Sequence, residues 1–367
     1  MDAPSVRIIS PAFDLLGEIR NYESLQFTRR FYSVGEFELR ININKANTDA
    51  LQNGNLIMLG KDGKKAGIIR HRENEIDENG DSTDTLIIKG PTLKGICSQR
   101  IIVPPVDGNG YDSFTGTQEA IMKHFVDAHC VNPTDASRKI PQFAIAADQG
   151  RGVADQWRFR FDNLSDVEEQ VGQYAKLGWD VTLDTGGKQL IFDVIQGRNL
   201  TAGQDTLPPV IFSTEFSDIK TPHFIQSWLN AATVGYAGGQ GDETDRLIQT
   251  VGSASGLDRM ETFFDCSDAE NAAELISKGT QKLAESAPVK TFEFSVVHDH
   301  PFVYGVDYDL GDTVTARSKK WGLTMDAQIV ELKEIYESGG NSIEVTFGTS
   351  IPSLRKYINH KTYKAVN

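Results

Sequence analysis

Apolar and polar residues alternate at both ends of this chain, and the alternation is clearest in "RRFYSVGEFELRININ", Arg29 to Asn44. Two runs flank a short turn containing Gly35. Phe37, Leu39, Ile41 and Ile43 share one side of the second run, and Glu36, Glu38, Arg40, Asn42 and Asn44 share the other. In the first run Leu25, Phe27 and Phe31 share a side that Arg29 interrupts. A period of two predicts half-buried antiparallel strands with one wet face. "NLIML", "KAGIIRHRENEID" and "TLIIKG" continue the pattern, with turn residues at each corner. A small barrel or sandwich over residues 1–104 is expected. "VPPVDGNGYDSFTG" then breaks regular structure and marks a boundary.

The middle changes to a helical period. "TGTQEAIMKHFVDAHC" places Ile121, Phe125 and Ala128 on one face, with Thr115 and Gln118 as a capping box. "SDVEEQVGQYAKLG" has a box at Ser165 and Glu168, a stripe of Val167, Val171 and Tyr174, and Gly178 as its stop. "WDVTLDTGGKQLIFDVIQ" reads as a hairpin around Gly186 and Gly187. The last third returns to strands, interrupted by a third helix after Ser267 and Glu270. In "NSIEVTFG", Ile343, Val345 and Phe347 oppose Glu344 and Thr346.

The chain has 367 residues, 39% of them hydrophobic, which exceeds the usual single domain. A net charge of −14 argues against tight nucleic-acid binding, which needs clustered Lys and Arg. No apolar run approaches the ~20 residues of a membrane span. The start, "MDAPSVRIIS", lacks the basic and apolar regions of a secretory signal. Cys97, Cys130 and Cys266 are far apart and form no CxxC pair, so they read as reduced core residues of a chain made in a cytoplasm.

Candidate chemistry is sparse. His298 and His300 would share a strand face, but no third metal ligand accompanies them. His124 and His129 are five apart, a spacing that an α-helix does not align, and they read as partly exposed. Asp307–Asp312 and Asp77–Asp84 superficially resemble calcium loops but lack Gly at the sixth position and Glu at the twelfth. Gly252–Gly256 misses a nucleophile elbow because Ala254 holds the central place. Trp157, Trp179, Trp228 and Trp321 are scattered and are expected in the core. No catalytic, cofactor-binding or metal-binding residue is assigned, and the chain does not read as an enzyme.

The segments together are more specific than any one of them. "FTRRFYSVGEFELRI", "AGIIRHRENEIDENGDSTDTLIIKG", "LKGICSQRIIVPP", "FSDIKTPHFIQSWLNAATVGY" and the closing "YDLGDTVTAR" to "NSIEVTFG" resemble, in order, a tail-protein family of siphophages and prophages. That family belongs with the baseplate-hub and tail-associated proteins of long-tailed phages. The resemblance runs from about Phe13 to Gly348. It implies a β-dominated α+β fold: two small tail-hub-type β-barrels with inserted α/β domains. The first barrel would be 1–104 and the inserted α+β domain 105–208. The second barrel would be 209–252 with 289–350, interrupted by a helical segment at 253–288, and 351–367 would be a tail.

The implied function is a trimeric hub ring in the virion. It would link the tail tube or distal tail protein to a tip or receptor-binding protein, beside the tape-measure protein, with DNA in transit through its channel. Glu36 and Glu38 would belong to an acidic lining. A tail-associated cell-wall hydrolase and a receptor- or glycan-binding tip protein are the alternatives. Many relatives carry a C-terminal extension, and the ending at Asn367 puts hydrolysis in doubt.

Overall fold

A computed structural model describes residues 3–76, 82–106, 108, 110–215, 219–241, 243–269, 271–297 and 301–348. The alternating N-terminal runs form eight strands: β1 (Val6–Ile9), β2 (Leu15–Ile19), β3 (Ser24–Arg30), β4 (Glu36–Asn42), β5 (Leu56–Leu59), β6 (Ala66–Ile68), β7 (His71–Ile76) and β8 (Ser82–Pro91). One sheet has the order β2-β1-β5-β6; in another, β3, β4, β8 and β7 are successive neighbours. The β3–β4 register sets Phe27 against Phe37 and Leu25 against Leu39. These side chains bury with Val6, Ile8 and Ile57 in one core. Each fully buried Leu or Phe is worth roughly 1.5–3 kcal/mol. Gly35 makes the hairpin turn possible, since a Cβ there would lie 2.1 Å from the Thr28 carbonyl oxygen.

Among the described residues no sheet closes on itself, and of the barrel or sandwich expected over 1–104 the structure has open sheets packed on a common core. The chain passes directly from one sheet to the other, since β6 pairs with β5 and the adjoining β7 pairs with β8. The sheets meet locally, at a bridge between Gly67 and Thr92.

A 3-10 segment, Leu93–Gln99, leads into the middle of the chain. There follow β9 (Asp112–Thr117), α1 (Gln118–Val126), β10 (Phe143–Ile145), β11 (Ala154–Phe159), α2 (Leu164–Ala175), β12 (Gly178–Asp184) and β13 (Gln189–Ile195). β9 pairs with β11, while β13 lies between β10 and β12. Both helices are where the period placed them, but their caps differ. Thr117 caps α1, accepting from the Ala120 N–H at 3.3 Å. Asn163 caps α2, accepting from the Ser165 N–H at 3.0 Å. The early start puts Glu168 beyond the first turn, where it points inward and is fully buried. α2 ends on Lys176 in the left-handed region at φ 57, and Gly178 opens β12 instead.

The remaining elements are β14 (Asn199–Leu200), β15 (Ile211–Ser213), β16 (Ile219–Ser227), β17 (Val234–Gly238), β18 (Ile248–Gly252), β19 (Glu261–Asp265), α3 (Ala272–Glu285), β20 (Val289–Val297), β21 (Thr313–Ser318), β22 (Leu323–Glu337) and β23 (Gly340–Gly348). The described residues fall into two compact units, one within 1–222 with 293–346 and the other within 223–292 with 347–348. In the larger unit, β22 is 15 residues long and has three neighbours, β21, β3 and β23. Its first half pairs with β21, and its second half pairs with β3. Strands from the two ends of the chain therefore share a sheet. In the smaller unit, β17 lies between β18 and β19. Ala237, Cys266, Ala269 and Leu275 form its core beneath α3, which Asn271 caps by accepting from the Glu274 N–H at 3.0 Å. The expected cap partner Glu270 lies outside the described residues.

Candidate functional site

The alternation of β3 forces Arg29 onto the inner face beside Phe27, where its side chain is 6% exposed. A buried guanidinium requires partners, because an unpaired charge in the interior is strongly disfavoured. Asp309 accepts from Arg29 Nη1 at 3.1 Å, and the Tyr304 hydroxyl does so at 3.0 Å. Asp180, on β12, lies 3.5 Å from Nη2. Burial works against the Arg29 charge, but Tyr304, Asp180 and Asp309 outweigh it and hold the group protonated. Arg29 Nε has no partner. One side chain thus joins β3, β12 and the loop before β21.

Two further charges are buried close to β3. Lys94, 2% exposed, donates to the main-chain carbonyls of Arg30 at 2.8 Å and Phe31 at 3.1 Å. Its ammonium lies 4.2 Å from the centre of the Trp179 ring. Burial pushes it down to about 7, against the pull of Asp180 and Glu169. Glu334, opposite Phe27 on β22, is fully buried and meets Lys65 Nζ at 2.8 Å. The Tyr336 hydroxyl donates to the same carboxylate at 2.5 Å. Burial, and then Glu334, push that phenol far above its ordinary range. Arg198 and Asp312 form another latch, with Nη2 to Oδ2 at 2.6 Å. The Asp307–Asp312 segment is therefore a turn held by two arginines, as expected of a structural loop.

His124 is partly exposed as expected, but the burial of His129 and the alignment of the pair require a correction. Both meet Asp112, with Nε2 to Oδ1 and Nε2 to Oδ2 each at 2.9 Å, and His129 is 2% exposed. α1 ends in a π-helical turn, Asp127–Val131, whose wider winding aligns positions five apart. Burial opposes ionisation of Asp112, yet the two histidine hydrogen bonds hold its carboxyl far below the usual range. Glu168 behaves oppositely. Burial, then the Cys130 thiol, push it well up, and neither carboxyl oxygen has a partner.

The other candidates are scattered. His298 and His300 lie outside the described residues, as does Asp77 to Asp81. Gly252–Gly256 is a surface turn after β18. Cys97, Cys130 and Cys266 are free and buried, as the sequence suggested. Trp157 and Trp179 are core residues, but Trp228 is 50% exposed and Trp321 45%, against expectation. Among the described residues no three His, Cys, Asp or Glu side chains are placed to hold a metal ion.

The outer face of the hairpin is also different from the acidic lining expected of it. Glu36 pairs with Arg30 at 2.8 Å, and Glu38 pairs with Arg40 at 2.8 Å and Lys89 at 3.0 Å. Cross-strand pairing balances the charges on this face. The sequence showed Arg40 there but could not show Arg30 and Lys89 beside it.

No helix of the described residues is long and apolar enough to cross a membrane. No curated protein matches the chain. Solved structures do. The 43 kDa tail protein of prophage MuSo2 from Shewanella oneidensis superposes with a TM-score of 0.61, covering 94% of this chain and 98% of its own at 13% identity. A tail protein from Neisseria meningitidis gives 0.60 at 14% identity, over 95% and 97% of the two chains. The prophage tail protein gp18 from Listeria monocytogenes gives 0.54 at 13% identity, over 99% and 100%. The fold is thus that of prophage tail proteins, and the resemblance read from the sequence is borne out. The family model described as siphovirus ReqiPepy6 Gp37-like protein matches residues 5–349, and the chain belongs to that family.

Proposed function

We propose that the protein is a structural component of a long-tailed phage virion, a hub at the tail tip or baseplate, and not an enzyme. The observation that carries this reading is the end-to-end likeness to a solved prophage tail protein, 98% of which is covered. Three copies would form a ring through heterologous contacts that close. In each copy the β-rich segments 1–104 and 209–252 with 289–350 would be the two hub domains. The ring would meet the distal tail or tail-tube protein on one side and a tip protein on the other, and DNA would pass through it. A hub must resist force without performing chemistry, and buried ionic latches such as Arg29–Asp309 suit that task. The charge-paired outer face, with Glu38 between Arg40 and Lys89, would present little net charge to passing DNA.

Light scattering on the purified chain should give three times the 40.5 kDa chain mass, and electron micrographs should show rings. A stable monomer at assembly concentrations contradicts the hub. Clearing of bacterial wall in a zymogram would revive the hydrolase.

A further inference from the structure

Beside Arg29 lies a small void of about 10 Å³, lined by Arg29, Arg30, Lys64, Thr92, Lys94, Asp180 and Leu310. That is room for a single water or one small ion. Four of these seven side chains are cationic and one is a carboxylate. The other carboxylates nearby are already engaged. Arg30 is paired with Glu331 at 2.5 Å and Glu36 at 2.8 Å, and Arg29 with Asp309 and Asp180. Lys94 differs, since no carboxylate of the described residues pairs with it. Its ammonium has three protons, and only two meet carbonyl oxygens. Arg29 Nε is a buried donor with no acceptor. The Thr92 hydroxyl accepts from the Gly35 N–H at 3.2 Å and keeps its own proton to donate. Lys64, an exposed residue at the rim, gives the void a route to solvent.

We propose that this void is an anion site that takes one halide-sized ion, or a single carboxylate oxygen, between Lys94 and Arg29. A neutral water could accept from Arg29 Nε, but an anion also gives Lys94 a direct ion pair, which Asp180 and Glu169, acting on it without pairing, do not. Burial has pushed Lys94 down to about 7, and an adjacent anion opposes that shift. The bound ion would tie the 3-10 segment to β3 and β12, where the hairpin meets the middle of the chain. The inference stands on this geometry alone and is independent of the hub reading.

The test uses the full chain. Crystals grown in bromide should show an anomalous peak within hydrogen-bond reach of Lys94 Nζ and Arg29 Nε. At fixed ionic strength, chloride should raise Tm by roughly 2–4 °C over gluconate, which is too large to enter. Formate in place of chloride separates the two sources: protection by formate alone assigns the site to a carboxylate, and protection by both to any small anion. Lys94→Met should abolish the difference between salts, and Thr92→Val should reduce it if the Met variant fails to fold. Only water at that position in bromide, with equal Tm in all salts, overturns the proposal. So does a salt effect that survives in Lys94→Met, or a peak seen only at molar bromide as an adventitious ion only.

Discussion

On the outer face of the β3–β4 hairpin, Glu38 sits between Arg40 and Lys89 at 2.8 and 3.0 Å, with 27% of its side chain exposed. On the inner face, Arg29 sits between Asp309 and Asp180 at 3.1 and 3.5 Å, with 6% exposed. The residue types and spacings are alike, but the surroundings are not. Water and salt screen the outer group, whose charges need one another little. The inner group has left water, so each charge depends on its partner. The same alternation that builds the sheet therefore decides which ion pairs matter. A charge one residue further along a strand changes from ornament to strut.

The contrast is open to attack, beginning with the largest effect. Phe37→Asp puts an unpaired carboxylate into the core where Phe37 stacks with Phe27 at 6.4 Å. We expect a loss above ~4 kcal/mol, or no folded protein, in chemical denaturation. Melting like the parent would remove Phe37 from the core. Arg29→Ala should cost about 3–5 kcal/mol, because Asp180 and Asp309 lose their counter-charge. Replacing the three together by Met, Leu and Asn should recover most of that; failure to recover would mean the Arg29 packing, not its charge, is what counts.

Acid should separate the faces next. The folded-state pKa of Asp112 is depressed, so its stabilisation is present above the ordinary carboxylate value of about 4 and is lost as pH falls below it. Asp112→Asn should flatten that acid limb of Tm against pH. Glu38, lowered by Arg40 while partly hydrated, should flatten it less on conversion to Gln. An equal effect in both variants would erase the distinction between buried and exposed pairs. The smallest change expected is Arg40→Ala, below ~1 kcal/mol. A loss as large as that of Arg29→Ala would show the outer face to be buried in the assembled state.

Local signals explain what could be read in advance. The alternation of Phe37, Leu39 and Ile41 gave their common buried face, and Gly186 with Gly187 marked the β12–β13 hairpin. Arg29 stood out on an apolar face. Its partners did not, because residues 180 and 309 reach it only through the tertiary fold. The helices were visible, but their caps were displaced: Asn163 and Asn271 won over serines with a suitably spaced Glu, since several nearby side chains can cap and the backbone decides among them. His124 and His129 were read with α-helical winding, and one π turn changed the answer. Closure of a barrel depends on strand length and register together, which alternation does not encode.

The pairing of β22 with β3 has a consequence for the order in which this molecule is made. Arg30 on β3 meets Glu331 on β22 across 301 positions of sequence. At ordinary translation speeds that is roughly 15–60 s of synthesis between one strand and its partner. β4 can shield one edge of β3 almost at once, but the other edge waits for nearly the whole chain. During that interval a nascent sheet carries an open edge, able to pair with the same edge on a neighbouring ribosome's product. Until β22 arrives, that edge of β3 stays open to premature association.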